Sequence, residues 1–223
     1  MLEAQGIRKE FIRQGKGTNR LVAVQDTDLT LGAGELTVLM GRSGSGKSTL
    51  LNMLAGLLAP TAGRILLDGE DLYAMEDRAL SRLRNAKIGV IPQGQTALHS
   101  LTVLENVLLP VRMYDPKADA APEALALLER LGIAELQQDK PAALSGGELR
   151  RMAIARAVIR RPQIILADEP TGDLDDENTA IVFDFLRESA RNGAAVLVVT
   201  HEGDAVQYAD RIYRMNAGVL TVS

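Results

Sequence analysis

Apolar residues along this chain fall into short uninterrupted runs that are separated by amphipathic stretches. Three runs, at Leu36–Met40, 163–168 and 194–200, are rich in aliphatic and β-branched residues, which is typical of buried strands. Helices are predicted after the first two runs, at 49–58 and 177–191. Because strands alternate with helices, the pattern predicts an α/β fold with a mostly parallel core sheet.

The beginning of the chain and a central stretch have different patterns. Residues 1–34 and 64–72 alternate between apolar and polar positions, which indicates antiparallel strands, with a hairpin tip at 15–19. Between Gln93 and Leu144 the pattern becomes helical. We therefore expect a single domain over residues 1–223, with antiparallel β parts at about 1–34 and 62–92, a helical part at about 93–158, and a core formed by the remainder.

Local signals predict where two of the helices begin and end. Pro122 opens one helix and Gly132 closes it, the usual placement of these two residues. Asp176 is expected to cap the helix at 177–191. The residues expected to face inward from that helix are Ile181, Phe185 and Leu186.

A glycine-rich segment, the phosphate loop, lies between the first predicted strand and the helix after it. It fits the pattern G-x-x-x-x-G-K-[ST], and the residues predicted to contact a nucleotide are Gly41, Arg42, Ser43, Gly44, Ser45, Gly46, Lys47, Ser48 and Thr49. Lys47 would reach the β- and γ-phosphates, and the Ser48 hydroxyl would hold Mg²⁺. The alternative is a turn without a ligand, which the flanking strand and helix disfavour.

Two consecutive carboxylates, Asp168 and Glu169, end the apolar run at 163–168. Asp168 could hold the Mg²⁺ through its water shell, because hard cations prefer oxygen ligands. Glu169 would point elsewhere and polarise a water molecule against the γ-phosphate. Many phosphate-loop enzymes lack this second carboxylate, so the pair favours hydrolysis over simple binding. The alternative is that acidic residues at strand ends are only solvated, and the phosphate loop upstream argues against it.

Residues 144–148, the LSGGE segment, form a second candidate anion site. Ser145 is expected near a helix start, and Gly146 and Gly147 would let a phosphate approach the backbone closely. The alternative is a capped helix start and nothing more. Since the phosphate loop already surrounds one side of a nucleotide, this segment, with Glu148 at its end, is most useful if it faces a nucleotide held by another copy of the chain.

Five arginines follow the LSGGE segment and raise the question of nucleic-acid binding. They are Arg150, Arg151, Arg156, Arg160 and Arg161. The net charge of the chain is −4 and no aromatic residue lies among them, so we interpret them as a solvated or interface face of a helix. No nucleic-acid partner is expected.

Together these motifs resemble those of the nucleotide-binding subunit of an ATP-binding cassette (ABC) transporter over essentially the whole chain. The resemblance implies that family's P-loop ATPase fold, in which a RecA-like core sheet carries an antiparallel β subdomain and a helical subdomain. It implies that Gln93 contacts Mg²⁺ and the attacking water, that His201 bridges the γ-phosphate and the base Glu169, and that Asp175 lies in a loop between two sites. Phe11 matches the ring that stacks on adenine, with a core aromatic as the alternative.

Within this family, the segments ADEPTGDLD and GVIPQ, the latter followed by LTVLENV, resemble the lipoprotein-release and macrolide-exporter branch. The resemblance implies an ATPase that dimerises around two ATP molecules, uses Mg²⁺ and powers a separate membrane permease. Such a subunit is expected in the cytoplasm, attached to the inner face of the membrane through that permease. The alternatives are a mechanical ATPase that regulates envelope or cell-division processes, and a soluble cassette ATPase.

Composition narrows the class of protein further. With 46% hydrophobic residues the chain can bury a large aliphatic core, and it has no run of about 18 or more apolar residues that could span a membrane. Zero cysteines exclude disulfides and thiolate metal sites. Because the chain ends 22 residues after His201 (202–223), no appended regulatory domain is expected, and a permease would be another polypeptide.

Overall fold

A computed structural model describes residues 1–13, 19–94, 96–172 and 174–223, so most of the hairpin tip expected at 15–19 lies outside the described residues. The strands in these ranges are β1 (Leu2–Arg13), β2 (Asn19–Leu31), β3 (Leu36–Met40), β4 (Ala62–Leu67), β5 (Glu70–Asp71), β6 (Ile88–Ile91), β7 (Ile164–Asp168), β8 (Ala195–Thr200), β9 (Arg211–Asn216) and β10 (Val219–Val222). The α-helices are α1 (Lys47–Leu54), α2 (Asp77–Lys87), α3 (Val103–Arg112), α4 (Ala121–Arg130), α5 (Gly146–Val158) and α6 (Asp176–Arg191).

The core of the molecule is a six-stranded sheet with the strand order β10-β9-β3-β8-β7-β6. All neighbouring pairs from β9 to β6 are parallel, and only the edge strand β10 is antiparallel to its neighbour. Along β8, Val196 and Val198 enter one apolar cluster while Leu197 and Val199 enter the other. This alternation buries both faces of the sheet, and the expected mostly parallel core sheet is confirmed.

Two different layers cover the two faces of the core sheet. Helices α3, α4, α5 and α6 supply apolar residues to one cluster. Helix α1 and a four-stranded antiparallel sheet, ordered β2-β1-β4-β5, supply them to the other, where Leu50 packs in the same cluster as Leu2 and Ile65. Antiparallel strands predicted at 1–34 and 64–72 are therefore present, and they hold α1 against the core sheet.

The predicted antiparallel part at 62–92 is wrong beyond Asp71. That stretch continues into α2 and then into β6, which pairs in parallel with β7 through Ile88 opposite Ile164. Ile88 and Ile91 are buried because β6 is part of the core sheet, whose two faces are both covered. A short apolar strand of this kind belongs to the core rather than to an outer sheet.

The predicted helix boundaries are partly confirmed. Pro122 lies in the first turn of α4, and Gly132 follows its end with a φ of 65°. Helix α6, however, is capped by Asp175 and not by Asp176, because the Asp175 carboxylate accepts a hydrogen bond from the Asn178 backbone N–H at 2.8 Å.

The inward face of α6 also differs from the expected one. Phe185 and Leu186 are buried as predicted, but Ile181 is only half-buried, and the neighbouring Val182 and Phe183 are fully buried instead. The Phe183 ring stacks on Tyr208 with ring centroids 4.7 Å apart, which draws this position of the helix into the core. No helix within the described ranges combines the length and the apolar character needed to cross a lipid bilayer.

Candidate nucleotide-binding site

Three neighbouring strands deliver the predicted site residues to one edge of the core sheet. The phosphate loop follows β3, Asp168 and Glu169 lie at the end of β7, and His201 follows β8. Because β3, β8 and β7 are parallel neighbours, their carboxyl ends meet at the same edge. Gln93 follows β6, the next strand in the sheet, and joins the group. Ligands of open α/β sheets bind at such an edge.

A cavity of about 610 Å³ opens at this edge. Its predicted lining residues are Phe11, Ser43, Gly44, Ser45, Gly46, Lys47, Ser48, Thr49, Gln93, Asp168, Glu169 and His201. Residues separated by up to 190 positions in the sequence (from Phe11 to His201) thus meet around one space. Its size falls in the range of small-molecule sites, roughly 300–1,000 Å³.

The phosphate loop wraps the first turn of α1. Lys47 is buried, and its Nζ donates hydrogen bonds to the carbonyl oxygens of Gly41 at 2.7 Å and Arg42 at 3.1 Å. Gly46 has a φ of 107°, and a Cβ added there would lie 2.1 Å from the Ala23 carbonyl oxygen, so only glycine fits. The loop backbone is therefore held tightly in place beside the cavity.

Helix α1 begins without a side-chain cap. Gly46 is its N-cap residue, and it has no side chain that could accept a hydrogen bond from the first turn. Ser45 adds a buried hydroxyl that has no hydrogen-bond partner among the described residues. Unsatisfied N–H groups at a helix start attract anions, so this end of α1 is suited to a phosphate.

Oxygen ligands for a metal ion lie beside the loop. Ser48 and Asp168 both line the cavity, and the Ser48 hydroxyl is close enough to stabilise the Asp168 carboxylate. Burial raises the pKa of the Asp168 carboxyl, and the Ser48 hydroxyl opposes that shift. Across the described ranges, no group of three or more His, Cys, Asp and Glu side chains is placed to hold a metal, so an ion here would depend on hydroxyl and amide oxygens as well as on Asp168.

Glu169 is held in an unusual backbone conformation. Its φ is 49°, in the left-handed region that non-glycine residues seldom adopt, and its N–H donates to the Val199 carbonyl oxygen at 2.8 Å. One carboxylate oxygen accepts a hydrogen bond from the Thr200 hydroxyl at 2.9 Å, and the other lies 2.9 Å from the His201 Nδ1. Because of this backbone conformation, the Glu169 carboxylate faces Thr200 and His201.

His201 is a surface residue of the site rather than a core histidine. Its side chain is 66% exposed. The hydrogen bond to Glu169, together with the charge of that carboxylate, raises the pKa of the His201 imidazole. The protonated form is therefore favoured beside the cavity.

Phe11 lines the same cavity from the antiparallel sheet. It lies on β1 opposite Leu21 of β2, and 37% of its surface is exposed, which contradicts the alternative of a core aromatic. The Lys9 ammonium lies 5.4 Å from its ring centroid. The ring is thus open to a stacking ligand at the cavity.

The LSGGE segment forms a capped helix start, as expected. Ser145 is the N-cap of α5, and its hydroxyl accepts from the Glu148 N–H at 3.3 Å. The Glu148 carboxylate in turn accepts from the Ser145 N–H at 2.7 Å and from its hydroxyl at 2.8 Å. These bonds lower the pKa of Glu148.

The structure does not bring every predicted ligand residue to the cavity. The described residues that line the cavity do not include Asp175 or the LSGGE residues Ser145, Gly146, Gly147 and Glu148. Gly146 lines a separate cleft of about 270 Å³ together with Gln93. The LSGGE segment therefore lies near the cavity but does not close it within one chain.

The arginines on α5 were expected on a solvated or interface face, and full solvation is wrong for Arg150 and Arg156. Arg150 donates to the carbonyl oxygens of Pro92 and Gln93, each at 2.6 Å. Arg156 donates to the Thr96 carbonyl oxygen at 2.8 Å and also contacts its hydroxyl. Both guanidinium groups therefore hold the stretch after β6 against α5, a role that the spacing of arginines on a helix does not reveal.

Arg151 also departs from that interpretation. It is buried and donates a hydrogen bond to the Asn178 side-chain oxygen on α6. Arg161, by contrast, is exposed as predicted and pairs with Glu123.

Several cavity-lining residues have no signal in the phosphate-loop pattern. They come from β2 and from the turn between β9 and β10, and they are Leu21, Val22, Ala23, Ala217 and Gly218. The Gly218 N–H donates to the Ser45 carbonyl oxygen at 2.9 Å, so the turn supports the loop directly. The Asn-Ala-Gly sequence at 216–218 is a recognisable turn signal, but its position beside the loop follows only from the fold.

Comparison with known proteins agrees with this geometry. Residues 24–172 match the ABC transporter family. The lipoprotein-releasing system ATP-binding protein LolD of Shewanella frigidimarina is 41% identical, over 100% of this chain and 92% of that protein. The macrolide export ATP-binding/permease protein MacB of Chlorobaculum tepidum is 39% identical over 92% of this chain, which spans 31% of that longer protein.

Solved structures show the same fold. The dimeric structure of MJ0796, a bacterial ABC transporter cassette, superimposes with a TM-score of 0.91 and 33% identity, covering 98% of this chain and 95% of that one. A dimeric post-hydrolysis state of the same cassette, bound to ADP and Pi, has a TM-score of 0.89. The chain thus belongs to the ABC transporter family, as an ATP-binding and ATP-hydrolysing subunit similar to those of the lipoprotein-release and macrolide-export branch.

Proposed function

We propose that this chain hydrolyses ATP as a nucleotide-dependent homodimer and thereby drives a separate membrane permease. The observation that carries the proposal is the division of the nucleotide-contacting segments. The phosphate loop, Asp168, Glu169 and His201 surround one cavity, whereas the LSGGE segment lies outside it. A second chain can supply that segment to the open side.

The phosphate loop and Phe11 would bind the nucleotide. The uncapped start of α1 and the N–H groups of residues 43–48 suit the phosphates, and Lys47 can exchange its two backbone carbonyls for the β- and γ-phosphate oxygens. Phe11, on the opposite wall, can stack on the adenine ring. Gly41 and Arg42 contribute through their backbone, which holds Lys47 in reach.

Ser48 and Asp168 fit a Mg²⁺ site. Both residues line the cavity beside the phosphate loop and offer oxygen ligands, and Gln93 adds an amide oxygen to the same cavity. Bound there, Mg²⁺ would neutralise charge on the phosphate oxygens.

Glu169 would act as the general base. Its carboxylate lies in the cavity, and its two hydrogen bonds, to Thr200 and His201, fix its orientation. Each oxygen keeps a further lone pair that can accept a proton from a water molecule. His201, exposed and favoured in its protonated form, can contact the γ-phosphate while it holds Glu169. Gln93 would orient the attacking water from the neighbouring strand end.

The second chain would contribute Ser145, Gly146 and Gly147. Among the described residues other than its chain neighbours and the backbone of its own helix, none lies within 4 Å of a Cβ added at Gly146, so the start of α5 leaves room for an approaching phosphate. The dimeric state of the similar MJ0796 cassette supports this arrangement. Asp175, at the start of α6, would lie in the same interface.

An exposed apolar groove is suited to the permease. It measures about 440 Å³ and lies between α2, β6 and α3, close to the stretch that Arg156 holds. Its large apolar side chains are unusually exposed, namely Leu57, Leu98, Met113 and Tyr114. Grooves of this kind mark protein interaction sites. The similar LolD and MacB proteins, named for lipoprotein release and macrolide export, indicate an exporter or lipoprotein-release partner and a location at the inner face of the membrane.

The proposal is tested with Glu169→Gln, which keeps the shape of the side chain but removes the base. We expect ATP hydrolysis to fall about 100-fold or more while ATP still binds. Dimers should accumulate with ATP, because the nucleotide persists between the chains, and size-exclusion chromatography with light scattering would detect them. A Glu169→Gln protein that stays monomeric at saturating ATP contradicts the dimer.

Two controls sharpen this experiment. Glu188→Gln makes the same change on α6, at an exposed carboxylate paired with Arg130, and should leave hydrolysis unaltered. The chain has no cysteine, so Ser43→Cys and Ser145→Cys chains can be mixed in the Glu169→Gln background and treated with a short cross-linker. Cross-linked dimers that form only with ATP support a shared site, and their absence in a dimeric sample contradicts it.

A further inference from the structure

Arg151 lies buried between the starts of two helices. It belongs to the second turn of α5, and its guanidinium donates a hydrogen bond to the Asn178 side-chain oxygen on α6. In the described part of the chain, its Nε is buried and has no hydrogen-bond partner. Burying a guanidinium costs free energy unless hydrogen bonds replace the lost hydration. The bond to Asn178 compensates for only part of that cost, which suggests that Arg151 is buried here for a purpose other than stability.

Asn178 extends this contact to the cap of α6. Its side-chain amide donates to both carboxylate oxygens of Asp175, at 2.8 and 2.9 Å, and its backbone N–H donates to one of them at 2.8 Å. Arg151 fixes the amide orientation by occupying its oxygen. A chain of hydrogen bonds therefore runs from α5 through Asn178 to Asp175.

Arg151 lies on the same helix as the capping box of α5, three residues after Glu148, whose carboxylate is bonded to Ser145. The hydrogen bonds from Ser145 lower the pKa of Glu148 most, and the charge of Arg151 adds to that shift. The first two turns of α5 therefore carry both the cap of that helix and the guanidinium that reaches the cap of α6 through Asn178.

Packing at Gly147 reinforces the same junction. A Cβ added there would lie 3.1 Å from the Leu174 Cδ2 and 3.7 Å from the Arg151 guanidinium, so Leu174 fills the space that a side chain would need. At Gly146, one residue earlier, an added Cβ would have no neighbour within 4 Å in the described ranges, apart from its own helix backbone and chain neighbours. The two glycines therefore differ, because Gly146 leaves space beside the helix start whereas the missing side chain of Gly147 makes room for Leu174.

We propose that Arg151 is a positioning residue that locks the start of α6 to the start of α5, so that both helix starts close on the nucleotide of the second chain as one rigid unit. The inference rests on the proposed ATP-dependent homodimer. If Asp175 could move freely relative to Ser145, each dimer that closes on ATP would lose conformational entropy to fix their positions. The buried contacts of Arg151 fix these positions before the dimer forms, so dimerisation does not incur that loss.

The test measures ATP-dependent dimerisation in the Glu169→Gln background. Arg151→Met and Asn178→Leu should each weaken dimerisation about tenfold, the effect of losing a charged hydrogen bond, and their combination should be no worse than either alone. Binding of a fluorescent ATP analogue to the monomer should be unchanged. Arg161→Met is the matched control, because this exposed arginine near the end of α5 pairs only on the surface.

Asn178→Asp distinguishes positioning from general stability. Aspartate keeps the acceptor for Arg151 but lacks the amide hydrogens that hold Asp175, and it places a second carboxylate beside it. We expect dimerisation to fall as it does in Asn178→Leu, with the thermal midpoint and monomer ATP binding near those of the parent. If Arg151→Met unfolds, as its melting curve would show, Asn178→Asp alone decides the question.

The outcomes separate this inference from the proposed function. Parent Glu169→Gln that remains monomeric with ATP overturns the homodimer and this inference with it. A parent that dimerises, alongside an equally dimeric Asn178→Asp, overturns the inference alone. Additive losses in Arg151→Met with Asn178→Leu also overturn it, because residues that act through one another are non-additive.

Discussion

The phosphate loop and the LSGGE segment are both glycine- and serine-containing stretches at a helix start, yet their polar groups are used differently. The first turn of α1 has no side-chain cap, and Ser45 keeps a buried hydroxyl without a partner in the described ranges. At α5, Ser145 and Glu148 satisfy each other in a capping box. The start of α1 leaves polar groups available to a ligand, whereas the start of α5 satisfies its own polar groups.

This difference fits a chain that carries the phosphate-loop part of one site and the LSGGE part of another. A glycine N-cap such as Gly46 costs a helix only about a few tenths of a kcal/mol relative to a capping side chain, and bound phosphate can recover that cost at α1. The capped start of α5 has no such deficit and is stable at the surface without a ligand. In the proposed dimer, Gly146 would contact the nucleotide that a second chain binds.

Lys47→Ala and Ser145→Arg should break this comparison most clearly. Lys47→Ala removes a buried cation at the cavity, so ATP affinity of the monomer should fall by roughly 100-fold, from the loss of charged hydrogen bonds. Ser145→Arg adds bulk outside the cavity, so monomer affinity should stay unchanged while ATP-dependent dimerisation is lost. Titration with a fluorescent ATP analogue and light scattering measure the two effects. Equal loss of monomer affinity in both variants contradicts the division.

Phe11→Ala should have an intermediate effect on the phosphate-loop side. Losing a stacked aromatic costs about 1–2 kcal/mol, or roughly 5–30-fold in ATP affinity, whereas Phe11→Tyr should be nearly silent. Ile12→Ala is the matched control, since Ile12 is the next residue on β1, is highly exposed, and does not line the cavity. Unchanged affinity in Phe11→Ala, with the fold intact, removes Phe11 from the site.

Titration of His201 should give the smallest effect. Its pKa in the nucleotide-free protein should exceed the ordinary value of 6.5 because Glu169 stabilises the protonated ring, and Glu169→Gln should lower it. The pair therefore adds to stability at pH below 6.5, and that contribution is lost as the pH rises through the raised pKa. NMR can follow the ring proton, with His99 as the other histidine of the chain. An identical titration in both proteins contradicts the contact.

Local sequence patterns predicted the phosphate-loop side well. The strand β3, the loop and α1 are consecutive, so an apolar run, a glycine pattern and a further apolar run identify all three, although α1 spans Lys47–Leu54 and not the expected 49–58. Parallel strands then place Asp168 and His201 at the same edge without further information. Phe11 was located through family resemblance, because a single aromatic on an outer strand carries no local signal.

The LSGGE side was predicted less completely because its contacts join distant parts of the chain. The sequence indicates that Ser145 caps a helix, but not that Arg151 reaches Asn178 or that Arg150 holds carbonyls after β6. The spacing of arginines along α5 shows only which of them share a face of the helix. It does not show which segment packs against that face, because this depends on the tertiary fold. The choice between Asp175 and Asp176 as cap also depended on backbone geometry, since both residues are suitable.

The left-handed backbone of Glu169 has a consequence for the evolution of this protein. A non-glycine residue at a φ of 49° stores about 1 kcal/mol or more of conformational strain, which glycine would not incur. Glycine would relieve that strain, but it would also remove the carboxylate and its hydrogen bonds to Thr200 and His201. A base that is needed at this position would therefore be retained in spite of its strain, so that some stability is exchanged for activity there.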